Sequence, residues 1–352
     1  MAEAAKSSTP QGAVLGLLAA ALFGVSAPLA KLLLGELRPQ LLAGLLYLGA
    51  GIGLSIFRVA RPNKIESPIQ RSDVMPLLGV VCFGGIAGPL LMLLGLHRLG
   101  ALTGSLLLNL EAPLTILLAV LLFGEHIGRY AAAAAVLILG GAALLKLQPG
   151  GSQADGWGVV LIASACLCWA LDNNLTQRLS LRDPISLVRI KALAAGSFNL
   201  LTALFLGASF PSPGLIASAL LLGSVSYGVS VVLDAYALRL IGAAREAAFF
   251  ATAPFIGALA SVVLCGDRLG LIDVGAMVVM SLGVALLLRE RHTHEHAHHE
   301  LQHEHAHQHD AHHKHEHAPN DPPGEPHSHR HQHASLVHDH PHLPDLHHRH
   351  RH

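Results

Sequence analysis

Along the first 290 positions, apolar stretches of about twenty residues alternate with short polar connections. A helix of that length crosses the hydrocarbon core of a bilayer, and it satisfies its backbone hydrogen bonds internally as lipid demands. The pattern predicts ten membrane-spanning helices, over 12–34, 40–58, 74–96, 101–123, 130–147, 157–178, 185–207, 214–238, 243–264 and 271–289. The short connections predict antiparallel neighbours. Pro28, Pro89, Pro113 and Pro254 fall inside these stretches and are expected to kink them. The first stretch is too long for the apolar part of a signal peptide and lacks a clear cleavage site, so it is read as the first span.

Composition divides the chain in two. Over all 352 residues 52% are hydrophobic and 13% charged, against about 25% charged in a soluble domain. Residues 1–290 carry 18 Lys and Arg and 14 acids, whereas 291–352 hold 24 of the 26 histidines with 9 acids and 5 Lys and Arg. Cys82, Cys166, Cys168 and Cys265 all lie in apolar stretches, so a disulfide framework is not expected. Cys166 and Cys168 are two apart and face different sides of a helix, which argues against a metal pair. No nucleotide loop, catalytic-triad spacing or soluble domain is visible, so neither an enzyme nor a nucleic-acid binder is expected.

Loop charge sets the expected orientation. With the N-terminus inside, twelve Lys and Arg fall in inner loops and four (Arg38, Arg98, Lys146 and Arg268) in outer ones. Ten spans then return the C-terminus to the cytoplasm, and a bacterial inner membrane is the expected location.

The two halves echo each other. "GALTGSLLLNLEAPLTILLAVLLFGEHIG" from Gly100 aligns with "GAAREAAFFATAPFIGALASVVLCGDRLG" from Gly242 at a shift of 142 residues. Gly100 meets Gly242, Gly124 meets Gly266, Glu125 meets Asp267 and Gly128 meets Gly270, while Pro113 and Pro254 are one position out of register. "GAVLGLLAAALFGVSAPLAKLL" from Gly12 matches "GVVLIASACLCWALDNNLTQRL" from Gly158, at a shift of 146 residues. Each unit holds five predicted spans, and an odd count inverts the second unit. Inverted repeats are a mark of secondary transporters with a site at the repeat interface.

On "LFGE" at 122–125, "LCGD" at 264–267, "YALRLIGAAREAAF" from Tyr236 and "CWALDNN" from Cys168, the chain resembles the EamA-type branch of the drug/metabolite transporter superfamily over residues 12–290. The resemblance implies an all-α membrane protein of ten helices in two inverted five-helix repeats, and export of a small solute. It departs from the family at Phe23-Gly24-Val25-Ser26, which lacks a tryptophan, and at Leu171-Asp172, which replaces glycine-serine. The expected organisation is a cytoplasmic N-terminus (1–11), a first repeat (12–148), a linker (149–156), a second repeat (157–290) and a disordered His-rich tail (291–352).

Ionisable groups inside spans are costly and mark function by default. Asp172, Asn173 and Asn174 offer a carboxylate beside two amides, suited to a polar solute or a cation; the competing reading pairs Asp172 with Arg178 or makes the triplet a helix cap. Glu111 stands two residues before Pro113, whose ring frees a carbonyl one turn earlier; the competing reading is an ion pair with Lys31 or Lys191. Asp234 and Tyr236 are further candidates for the same cavity. Arg189 and Lys191 are read as snorkelling to the inner interface. Glu125 and Asp267 are read as structural ties between helix ends, and His97 and His126 as solvated.

The tail lacks large apolar residues and reads as disordered. Its candidate metal ligands are His292, His294, His296, His298, His299, His303, His305, His307, His309, His312, His313, His315 and His317. Neutral imidazole binds Ni, Co, Zn or Cu. No cofactor is required by the core. The expected function is a secondary transporter of a small molecule or metal ion, working by alternating access in a lipid bilayer, with a homodimer left open. The rival is a membrane-anchored metal buffer or sensor whose core does not transport.

Overall fold

The structure is a computed structural model that describes residues 2–60, 67–123, 127–145, 155–179, 182–241, 243–287 and 289, with 295–298, 301–307, 327–333 and 336–339 in the tail. The helices are α1 (Ala2–Gly24), α2 (Ser26–Leu33), α3 (Pro39–Ala60), α4 (Val74–Gly79), α5 (Gly88–Arg98), α6 (Ala101–Leu107), α7 (Glu111–Phe123) and α8 (Arg129–Leu145). The second half continues with α9 (Gly156–Arg178), α10 (Pro184–Phe205), α11 (Pro213–Gly223), α12 (Ser230–Ile241), α13 (Ala243–Phe250), α14 (Ala253–Leu264) and α15 (Leu271–Leu287). Among the described residues seven helical stretches are long and apolar enough to cross a membrane: Pro10–Leu33, Pro39–Ala60, Arg71–Arg98, Ala101–Leu122, Gly156–Thr176, Pro184–Phe205 and Pro213–Ala237. Arg129–Leu145, Ala253–Leu264 and Leu271–Leu287 are shorter apolar helices.

Several helical paths are interrupted, and four of the interruptions have a local cause. A π-helical segment, Val80–Ala87, joins α4 to α5, and another, Ser224–Val229, joins α11 to α12. Each starts directly after a glycine, Gly79 or Gly223. A 3₁₀ turn at Leu108–Leu110 separates α6 from α7, just ahead of Pro113. Residues 243–264, expected as one helix, divide into α13 and α14, with Pro254 in the first turn of α14, the one place in a helix where a missing N–H costs nothing.

Packing is closest where glycine lets backbones meet. α3 lies along α10: a Cβ on Gly44 would stand 2.6 Å from the Leu200 nitrogen, and one on Gly196 2.6 Å from the Leu48 nitrogen. Small residues at such crossings are the usual means of helix association in lipid. α8 packs on α15, α1 on α12, α5 on α9, and α6 on α14. Leu42, Leu46, Leu93, Leu96, Leu106, Leu107 and Ile162 fill the core, while Phe205, Val263 and Leu271 face outward as lipid-facing side chains would.

Capping and ion pairs fasten the helix ends. Lys31 Nζ donates to the Leu96 and His97 carbonyls at the end of α5, 2.6 and 3.3 Å away. The Asp267 carboxylate accepts from the Leu102 N–H in the first turn of α6 at 2.7 Å, a helix cap supplied from the other half of the chain. Asp267 is therefore a tie between helix ends, as expected; Glu125 and His126 lie outside the described residues. At the opposite end Arg58 pairs with Asp183 (3.0 Å) and Arg182 with Asp73 (2.7 Å). All four cysteines are free.

In the tail, where the sequence predicts disorder, the described stretches are four short strands: β1 (Glu295–His298), β2 (Leu301–His307), β3 (His327–His333) and β4 (Leu336–Asp339). β1 pairs with β4 and β2 with β3, both antiparallel. The local reason is the His-x-His alternation, whose period of two matches the pleat of a strand.

Candidate functional site

The second half of α9 carries the triplet expected to mark a site. Asp172 and Asn174 are buried, and Asn173 is exposed. Successive helix positions face different sides, so the three do different work. Asn173 Nδ2 donates to Glu111 Oε1 at 2.7 Å, joining α9 to the first residue of α7. Asn174 Nδ2 is spent on backbone, on the Ala170 carbonyl (2.8 Å) and the Thr115 carbonyl (3.3 Å), and so locks α9 to α7. Asp172 accepts from Lys191 of α10 and from Thr176 Oγ1 at 3.3 Å. Lys191 thus turns inward to a carboxylate instead of snorkelling to the interface. Asp172 pairs with Lys191, and Glu111 bonds Asn173 in place of the Lys31 or Lys191 weighed from sequence; the Arg178 side chain, the other partner weighed for Asp172, lies outside the described residues.

Gly84, in the π segment after α4, completes this centre. A Cβ there would overlap the Asp172 carboxylate, so only glycine fits. Its carbonyl accepts twice, from Tyr47 Oη (2.8 Å) and from Trp169 Nε1 (3.3 Å). A π turn leaves a carbonyl without its usual i+4 partner, and two aromatic donors take it up. Tyr47 stacks in turn on Tyr227, ring centroids 5.7 Å apart, and Tyr227 meets Phe23 edge-on at 5.6 Å. Tyr227 Oη and Ser26 Oγ lie 3.4 Å apart. Glu111 is half-buried. The result is a ring of α2, α3, α7, α9, α10 and the two π segments, holding an ion pair, a carboxyl–amide pair and aromatic walls.

Two family-model matches decide the wider relationship. The model of the EamA-like transporter family matches residues 10–147 and again 156–289. The chain belongs to the EamA-like transporter family. An uncharacterised transporter of Methanothermobacter thermautotrophicus is 30% identical over 282 residues, 75% of this chain and 82% of that protein. An uncharacterised protein of Pseudomonas aeruginosa is 32% identical over 195 residues, covering 55% of this chain and 67% of that one. A solved crystal structure superposes with a TM-score of 0.58 at 18% identity, over 79% of this chain and 96% of its own, and shares the fold.

For this EamA-like protein, an integral membrane protein with several apolar helices, the glycine of "LCGD" has a structural duty. Gly266 takes φ 71°, the left-handed conformation that ends a helix, and so aims Asp267 at α6. Asp234 and Tyr236 do not join the Asp172–Glu111 group by any described hydrogen bond or ion pair. Asp234 is half-buried on α12, and Tyr236 is 40% exposed. Sequence reasoning missed Tyr47, Tyr227 and Gly84. A tyrosine inside an apolar span, with a hydroxyl that needs a partner, was the available signal for the first two. Among the described residues no group of three or more His, Cys, Asp or Glu is placed to hold a metal ion. His296, His298, His303, His305 and His307 fall on the strands, and the other expected tail ligands lie outside the described residues.

Proposed function

We propose that this EamA-like protein is a secondary transporter that exports a small polar organic solute by alternating access between two inverted five-helix repeats. The solute site is the space bounded by Glu111, Asn173, Asp172 and Lys191. The observation that carries the reading is the Asn173–Glu111 pair: an accessible amide and a half-buried carboxyl joined between α9 and α7, beside a broken helix. The neighbouring Lys191 ammonium gives the site both signs of charge, which suits a solute with donors and acceptors better than a bare cation.

Several features support the ten-helix, two-repeat organisation: a first repeat at 12–148, a linker at 149–156 and a second repeat at 157–290. The family model matches twice. The 3₁₀ turn ending at Leu110 and the break at Ala251–Thr252 fall at equivalent places under the 142-residue shift, and so, within two residues, do the two π segments. The packing pairs also exchange: α1 on α12 is the counterpart of α9 on α5. The loop-charge bias supports cytoplasmic termini in an inner membrane.

The tail, in this reading, binds a transition metal and regulates the core. Its register sets His303 opposite His331, His305 opposite His329 and His307 opposite His327. Strand alternation puts these six positions on one face of the ribbon. The alternative, a metal buffer whose core does not transport, separates from this reading in one experiment. Cells lacking their own metal transporters would express the full chain, a chain stopped after Arg291, or the Asp172→Ala and Glu111→Ala variants. Nickel, cobalt, zinc and copper contents are then measured, alongside efflux of labelled amino acids and other polar metabolites. Efflux of a metabolite lost in both core variants and kept in the truncation supports transport. Metal content that follows the tail alone, with no solute moved by the core, overturns it.

A further inference from the structure

The expected metal ligands all lie at 292–317, on one arm of the tail; the strands bring a second arm of histidines against it. β2 pairs with β3 so that His303 lies opposite His331, His305 opposite His329 and His307 opposite His327. Positions directly opposite each other share a face of the ribbon, and so do positions two apart on one strand. His333, opposite Leu301, falls on that same face. The other face of β2 and β3 carries no histidine: Gln302, Glu304 and Ala306 lie opposite Gln332, Arg330 and Ser328. Glu304 against Arg330 is an opposite-charge cross-strand pair, which favours this register.

The outer strands keep the correspondence. β1 and β4 continue the register of β2 and β3, and His296 lies opposite His338. Histidine falls on even-numbered positions in β1 and β4 and on odd-numbered positions in β2 and β3. Both arms therefore change phase at the same level of the ribbon. The mismatches sit at that level, His298 opposite Leu336 and His333 opposite Leu301. A tail that was merely rich in histidine would have no reason to change phase on both arms together.

Something has to hold such a ribbon closed. Two strands alone are marginal in water, and joining arms connected through 308–326 costs loop-closure entropy. Leu301, Leu336 and Val337 are the only large apolar residues of the four strands, so apolar burial contributes little. Imidazole is a good ligand for Ni, Cu, Zn and Co. Opposed positions have Cβ atoms about 4.5–5.5 Å apart, and the next pair stands about 7 Å along the strand. We propose that His303, His305 and His307 of β2 and His327, His329 and His331 of β3 form a two-armed site for divalent transition-metal ions, in which each ion takes histidines from both arms and staples the strands together. The register supplies the pairs and the ion gathers the imidazoles, since no three ligating groups already surround one point among the described residues. The site deepens the reading that the tail binds metal, and rests on it. It also makes the closed ribbon the metal-loaded form of the tail, and so the form through which metal would act on the core.

Calorimetric titration of the purified full chain in detergent with nickel(II) tests the two arms separately. A chain stopped after Pro326 keeps all thirteen histidines of 292–317 and loses the second arm. It is expected to lose the tightest binding step of the full chain. His305→Ala with His307→Ala, on the first arm, and His327→Ala with His329→Ala, on the second, should each abolish the same step. His312→Ala with His313→Ala, outside the four strands, should leave it. These changes lie beyond the membrane core, and thermal unfolding of the core checks each preparation. A tightest step that survives the stop after Pro326, or survives loss of the second-arm pair, overturns the two-armed site while metal binding by the tail stands. A full chain that takes up no nickel overturns both.

Discussion

Lys191 of α10 is paired with Asp172 of α9, and the other side of that carboxylate is closed by Gly84. Two charges have left water together, with Thr176 as a further partner. Removing one member of such a pair strands the other and costs about 3–5 kcal/mol, whereas removing both costs much less. Lys191→Met and Asp172→Asn should each lower the unfolding midpoint in detergent markedly, and the double variant should recover most of the loss. A double variant as unstable as the two singles combined would show that the residues act independently.

Gly84→Ala should be destabilising by about 1–3 kcal/mol, the usual range for an overpacked site, because its Cβ would overlap the Asp172 carboxylate. Gly140→Ala is the control: nothing lies within 4 Å of a Cβ built there. Alanine is favoured over glycine in a helix by about 1 kcal/mol, so that variant should match or exceed the wild type in thermal unfolding.

Asp267→Ala removes the cap on α6 and should cost about 1 kcal/mol, as lost caps typically do. The effect is local to the junction of α6 with the loop after α14. Amide exchange in the first turn of α6, at Leu102 in particular, should quicken while the far ends of the helices stay protected. Unchanged exchange at Leu102 would mean the Asp267 contact carries no energy.

Arg98 donates to Asp155 at 2.6 Å, and this hydrogen bond holds the Asp155 carboxyl below the ordinary aspartate range. A depressed carboxyl stabilises the fold above its unfolded pKa and loses that contribution as pH falls through the folded value. Asp155→Asn should therefore leave unfolding unchanged in strong acid and lower the midpoint slightly at neutral pH. The effect should be small, because the pair is exposed to solvent.

Calorimetric titration with nickel should give strong binding to the full chain and none to a chain stopped after Arg291. Binding should weaken as pH falls below about 6.5, where histidine gains a proton and ceases to be a ligand. Retained binding in the truncated chain would move the metal site into the membrane core.

Most helices were legible because a run of apolar residues bounded by polar ones leaves lipid few other options. The helix breaks were legible in part: Pro113 and Pro254 announced two of them, while the π segments follow Gly79 and Gly223, which the sequence analysis did not single out. Of the site, Asp172, Asn173 and Glu111 do come together, since charge in a span is expensive enough to be noticed. Their partners could not be read. Whether Lys191 turns toward α9 or toward lipid depends on the rotation of α10 about its own axis, and a single sequence does not fix that angle.

The two π segments have a kinetic meaning as well. Each stores surplus residues relative to an α-helical path, and such a surplus can migrate along a helix by exchanging one carbonyl acceptor for the next. Each residue it passes rotates by about a hundred degrees, the angular step of a helix with 3.6 residues per turn. Displacement of the Val80–Ala87 segment would swing Gly84 out from under Asp172 without uncoiling the helix. α4 and α5 could then change which residues they show to the cavity by a screw motion, at the expense of a few hydrogen bonds at a time.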